Sequence, residues 1–164
     1  MIKYRPHAEK DVSFRVKWLN NPKANQFIGD HPGQKTTLTK QKEWFTAYKK
    51  DKTKQFFTIC DNNQPIGFMG FSHIDKSNKK ADIFIAIGED DFRGKGVGKQ
   101  SVKWLVGVGF SKLKLHKISL YVFAKNIPAI RLYESLGFKV EGVLKDDAYF
   151  SNKYHDVILM AKIK

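Results

Sequence analysis

Apolar residues along this chain alternate between two periods, about two residues for strands and about 3.6 for helices. Seven stretches carry the strand signature: "IKYR", "QFFTIC", "PIGFMGFSHI", "ADIFIAI", "KISLYVF", "FKVEGVL" and "KYHDVILMAKI". The turn "DNNQ" joins the second and third into a hairpin, and "DKSNKK" turns into the fourth. "ADIFIAI" is almost wholly apolar, which predicts a strand buried on both faces. Helical spacing appears four times. Val12, Val16 and Leu19 form the first stripe, ended by "NNP". After a loop broken by Gly29, Pro32 and Gly33, Thr39 is placed to cap a second helix that carries Trp44, Phe45 and Tyr48 and runs to about Lys50. Val102, Leu105, Val106, Gly109 and Phe110 lie on one face of a third. Asn126 caps a fourth, "IPAIRLYESL", with Pro128 in its first turn and Gly137 just past its end. The closing two stretches read as an antiparallel pair. This order predicts an α/β or α+β sheet with helices on both faces.

The chain has 164 residues, of which 41% are apolar, and it holds thirteen Phe, enough for one domain with a sizeable core. No apolar run approaches the roughly 20 residues that span a bilayer, and "MIKYRPHAEKD" has no signal-peptide core. Cys60 has no second cysteine to pair with, which suits a reducing cytoplasm, and at the end of "FFTIC" it reads as a buried thiol. Charge adds more. Thirty Lys and Arg against sixteen Asp and Glu give a net charge of +14. Such a balance attracts nucleic acid, nucleotides, acidic headgroups or phosphorylated cofactors, and makes a polycationic acceptor awkward. The lysines are scattered rather than gathered in one tail, so a solvated lysine-rich surface fits equally.

Between the all-apolar strand and the third helix lies "DDFRGKGVGK", with Gly94, Gly96 and Gly98 at alternate positions among Arg93, Lys95 and Lys99. Glycines let backbone N–H groups converge, and the following helix adds the positive end of its dipole, so the loop suits phosphate. It is not a dinucleotide fingerprint. The third glycine of G-x-G-x-x-G would fall on Lys99 or Ser101. Nor is it a Walker A loop, whose first glycine would fall on Arg93 and whose last position is Gln100. A plain strand-to-helix connection with solvated lysines is the alternative.

Arg93-Gly94-Lys95-Gly96-Val97-Gly98 resembles the (Q/R)-x-x-G-x-(G/A) motif of the GCN5-related N-acetyltransferases (GNATs), and "NIPAIRLYESLGFKVEG" at 126–142 resembles the family's second signature. The two occur in the family's order and spacing, and the resemblance covers essentially the whole chain. It implies one GNAT-like domain over 1–164, α/β (mixed α+β), with a mostly antiparallel twisted sheet of about seven strands and about four helices. It also implies an acyltransferase that moves acetyl from acetyl-CoA, a co-substrate, to an amine without a metal.

The resemblance assigns residues. Arg93, Gly94, Lys95, Gly96, Val97, Gly98 and Lys99 would cradle the CoA pyrophosphate. Ile85, Ala86 and Ile87 would pair with the pantetheine arm like an added strand, and one of their N–H groups would polarise the thioester carbonyl. Asn126 would bond the pantetheine or the acceptor side, and Ala129 and Arg131 would flank CoA. Tyr133 takes the place of the tyrosine that protonates the leaving thiolate. A phenol with a pKa near 10 suits that role, although Ile130, Tyr133 and Leu136 would also make a core face. The base is open among Asp82, Glu89, His73 and water, and His31 sits in a loop that often lines the family's acceptor site. No metal-ligand spacing appears.

"RVKWLNNPKANQF" and "YFSNKYHDVILMAKI" resemble the branch that holds ribosomal-protein N-terminal, spermidine and nucleotide-linked amino-sugar acetyltransferases. "WLNNP" followed by "EWF" looks most like the amino-sugar type. The expected acceptor is a small-molecule amine such as a nucleotide-linked amino sugar. The alternative is a protein N-terminus or lysine, and a different class is a non-catalytic CoA- or RNA-binding module. No membrane partner is expected. A nucleic-acid partner is disfavoured by the lack of a reading motif, and a homodimer is compatible with the family.

Overall fold

The computed structural model describes residues 1–28 and 32–164. Its chain order is β1 (Ile2–Pro6), α1 (Val12–Asn20), α2 (Pro22–Asn25), α3 (Leu38–Lys50), β2 (Gln55–Asp61), β3 (Gln64–Asp75), β4 (Lys80–Ile87), α4 (Val97–Ser111), β5 (Lys117–Phe123), α5 (Ile127–Ser135), β6 (Lys139–Phe150) and β7 (Lys153–Ile163). The seven strands form one sheet in the order β1-β2-β3-β4-β5-β7-β6. Every neighbouring pair is antiparallel except β4 and β5.

The parallel pair positions the site. β4 and β5 are in register only at Lys80↔Lys117, Ala81↔Ile118 and Asp82↔Ser119. β4 stays paired to β3 as far as Ile87, and β5 to β7 as far as Phe123. The two halves of the sheet therefore splay apart beyond Asp82 and Ser119, leaving a wedge in its middle.

Alternation along the strands buries both faces near the wedge. Ala81 and Ile83 of β4, with Ile118, Leu120 and Val122 of β5, point to the side of α4 and α5 and pack on Val102, Leu105 and Tyr133. Phe84 and Ala86 point the other way, to Trp18, Phe14 and Phe68. The double-sided burial expected of "ADIFIAI" follows from this. Fully buried Trp18 lies so close to Gly88 that a Cβ there would sit 2.1 Å from the indole Cγ.

A buried polar knot fastens α1 to the sheet. Asp11 accepts two 2.6 Å bonds from Arg5 and further bonds from the Ala8 N–H and the Thr58 hydroxyl. Burial alone would raise the Asp11 pKa, and these donors more than offset that and hold it below the usual range. His7 bonds Thr58 at 2.9 Å, and burial, with Arg15 nearby, lowers its pKa from 6.5 to about 4.

Two element boundaries differ from the sequence reading. The "NNP" that ends α1 also starts α2, because Asn21 caps it by accepting from the Lys23 N–H and Pro22 takes the first turn. The cap of α3 is Thr37 rather than Thr39, its hydroxyl accepting from the Lys40 N–H at 3.3 Å. Gly29 and His31 lie outside the described residues. No helix among the described residues is long and apolar enough to cross a membrane.

Candidate active site

The glycine loop closes the wide end of the wedge. Gly94 and Gly96 have φ of 73° and 81°, the left-handed region that favours glycine, and a Cβ at either would meet open space. Gly96 is the N-cap of the 15-residue helix α4, and no side chain caps it. Among the described residues the first N–H groups of α4 have no partner, and they lie at the positive end of its dipole, an arrangement suited to a phosphate anion. Gly98 has another use. A Cβ there would lie 3.3 Å from Leu132 Cδ1, so its absence lets α4 and α5 pack side by side.

The side chains of the loop divide the work. Lys95 and Lys99 are exposed. Arg93 instead folds back on Asp90 and donates to the Ile87 carbonyl at 3.1 Å, bracing the end of β4. Its own N–H donates to the Asp90 carbonyl at 3.2 Å, so both the N–H and the guanidinium are engaged within the chain.

α5 forms the other wall. The Asn126 side chain accepts from the Ala129 N–H at 3.4 Å and so caps the helix, while Arg131 on the same helix is exposed. Tyr133 turns inward, 8% exposed, with Phe138 edge-on at 5.8 Å. Burial pushes its phenol up to about 12. Burial is the sole cause of the shift, so the phenol is neutral within the core cluster.

Of the candidate bases, Glu89 lies past the end of β4. Burial would raise its pKa, but Lys17 at 2.6 Å and the Trp18 indole N–H at 2.8 Å more than offset this and lower it. Asp82 lies at the vertex, where β4 and β5 meet. His73 has φ of 50° at an irregularity in β3, which turns its Nδ1 to 2.9 Å from Asp82 Oδ2. The sequence candidates therefore separate: Asp82 and His73 form a pair at the vertex, and Glu89 belongs to the wide end.

The face of the sheet away from α4 and α5 carries a cavity of about 230 Å³ at this vertex, lined among others by His73, Asp82, Ser119, Tyr121, Glu141 and Leu159. Sequence reasoning missed Ser119, Tyr121 and Glu141. The alternation in "KISLYVF" puts Ser119 and Tyr121 opposite the apolar face, but only the strand register brings them to Asp82 and Glu141. A larger groove, about 440 Å³ between Tyr4 and Trp104, lies along the flank of α4. Its lining includes neither a residue of β4 or β5 nor the first three residues of α4. No group of three or more His, Cys, Asp or Glu among the described residues could hold a metal.

The wedge opens between β4 and β5, with Asp82 and Ser119 at its vertex and the chain leading from the end of β4 to α4 at its wide end. The family described as "Acetyltransferase (GNAT) domain" matches residues 2–139. Spermidine N(1)-acetyltransferase of Escherichia coli K12 is 24% identical over 97% of this chain and 84% of that one. Acetyltransferase PseH of Campylobacter jejuni is 26% identical over 95% of this chain and 96% of its own. Among solved structures, spermidine N-acetyltransferase of Vibrio cholerae, in complex with CoA and spermine, superposes with a TM-score of 0.90 over 99% of this chain and 95% of that one, at 24% identity.

Proposed function

The chain belongs to the GNAT family of acetyl-CoA-dependent N-acetyltransferases, and on that premise we propose that it acetylates the primary amine of a small anionic molecule such as a nucleotide-linked amino sugar. The pyrophosphate of CoA rests on the N–H groups at 94–99, and the pantetheine runs along Ile85–Ile87. The thioester then lies towards the vertex. One N–H of that strand polarises its carbonyl. The neutral amine attacks the carbonyl carbon from the cavity side, and the C–S bond breaks as the tetrahedral adduct collapses. Asp82, paired with His73, takes the proton lost by nitrogen, directly or through water, and Tyr133 gives its proton to the departing sulfur.

The observation that carries the acceptor class is the surplus of cations over carboxylates. Glu89 faces Lys17, Asp90 faces Lys23 and Arg93, and Glu141 faces Lys117, in a chain of net charge +14. Asp82 and Glu141 each keep one oxygen without a partner among the described residues, which a polyamine would use, so the feature that favours an anion is the surplus of cations in the chain as a whole. The relatives named for spermidine favour the polyamine reading, and this charge pattern weighs against it. Thiol release from acetyl-CoA, followed across nucleotide-linked amino sugars, spermidine and ribosomal N-terminal peptides, tests the proposal. Turnover should be fastest with an anionic amino sugar, and a preference for spermidine or a peptide would overturn it.

A further inference from the structure

We propose that the vertex cavity is a subsite for one hydroxylated ring, with Tyr121 and Glu141 as specificity-determining residues for the acceptor; this rests on the acceptor reading above. About 230 Å³ is below the roughly 300–1,000 Å³ of pockets that enclose drug-sized ligands, so it holds one ring-sized group and not a whole nucleotide.

Its lining has the chemistry of a polyol site. Lys117 binds Glu141 Oε2 at 2.7 Å and His73 binds Asp82 Oδ2 at 2.9 Å. The second oxygen of each carboxylate, Oε1 of Glu141 and Oδ1 of Asp82, has no hydrogen-bond partner among the described residues. Both carboxylates line the same cavity, from opposite sides of β5. Asp82 Oδ1 is the oxygen left to take the amine proton, and Glu141 Oε1 is a charged acceptor for a sugar hydroxyl, the stronger kind of hydrogen bond. The Ser119 hydroxyl adds a group that both donates and accepts. Tyr121 is 57% exposed on the same face, flanked across the strand by Leu159. An exposed aromatic face beside these groups covers the C–H side of a ring while Glu141 and Ser119 hold its hydroxyls.

The position matches the chemistry. Asp82 and Ser119 are the last paired residues before the strands splay, so a ring held here presents an amine substituent to the tip of an arm lying in the wedge. Glu141 reaches the cavity because β6 is irregular between Val140 and Gly142.

The test compares Glu141→Gln, Tyr121→Ala and Tyr121→Phe with the wild-type enzyme on a nucleotide-linked amino sugar and on an acyclic amine without hydroxyls. Acetyl-CoA affinity is measured by calorimetry as the check on folding. Glu141→Gln and Tyr121→Ala should raise KM for the amino sugar about tenfold to a hundredfold, leave kcat within about threefold, and leave the acyclic amine and acetyl-CoA unchanged. Tyr121→Phe, which keeps the ring face, should behave as wild type. Equal losses on both amines, or no change in KM for the amino sugar, would overturn the subsite while leaving the acceptor reading intact. A wild-type enzyme that turns over the acyclic amine or spermidine but no amino sugar would overturn both.

Discussion

Burial keeps the Tyr133 phenol neutral, the state required by the acid role proposed for it. With a pKa of about 12, raised by desolvation, it is protonated across the working range. Tyr133→Phe should lower kcat by about a hundredfold, the low end for a positioned acid, and leave acetyl-CoA affinity within about twofold by calorimetry. A variant with full kcat would remove the tyrosine from the mechanism. The wild-type kcat should show no alkaline loss below about pH 10 that traces to this group. Its folded pKa exceeds the unfolded 10.0, so its contribution to stability is present below that value and fades as pH rises towards 12. His7 has the opposite sign. Buried and neutral, its pKa falls from 6.5 to about 4 through burial and the cations Arg15 and Arg5, against Asp11. The unfolded chain takes up a proton that the folded chain refuses. Stability is therefore full above pH 6.5 and declines as pH falls to 4, by about 3 kcal/mol at most. Urea unfolding at several pH values should show this slope, and His7→Gln should flatten it.

Loops and helix ends carry the element-scale logic. Gly96→Ala places a Cβ in open space but on a left-handed residue, so strain rather than collision sets its effect. It should cost about 1 kcal/mol in stability and weaken acetyl-CoA several-fold by tilting the first N–H groups of α4. Gly88→Ala is different in kind, since its Cβ would enter the Trp18 ring. It should cost about 2 kcal/mol or more in a denaturant titration. The first of these glycines was legible in the sequence as part of a loop with a motif. The second was not, because nothing local to "AIGED" says that an indole seventy residues earlier packs on it. The same limit hid α2. Asn-Asn-Pro stops one helix and starts another with the same residues, and the stop is the more visible signal. It also hid the partners of Glu141, which depend on an irregularity in a strand rather than on any spacing.

At the scale of the whole molecule, strand order and net charge act together. All seven strands were readable from apolar period, as was their arrangement between helices on both faces. The splay between β4 and β5 was not, because it arises from pairing that stops after three residues. The cations are scattered along the chain rather than gathered in a tail, and at a net charge of +14 attraction for an anionic acceptor should be long-range and screened by salt. KM for an anionic amino sugar should rise several-fold between about 50 mM and about 500 mM salt, while a cationic acceptor would show a fall or no change. The proposed reaction requires above all that acetyl-CoA lie in the wedge. Amide hydrogen exchange with and without acetyl-CoA measures this directly. Exchange should slow at Ile85–Ile87 and in the first turn of α4, with little change along the groove between Tyr4 and Trp104. Protection along that groove, with β4 and the start of α4 unaffected, would contradict the account.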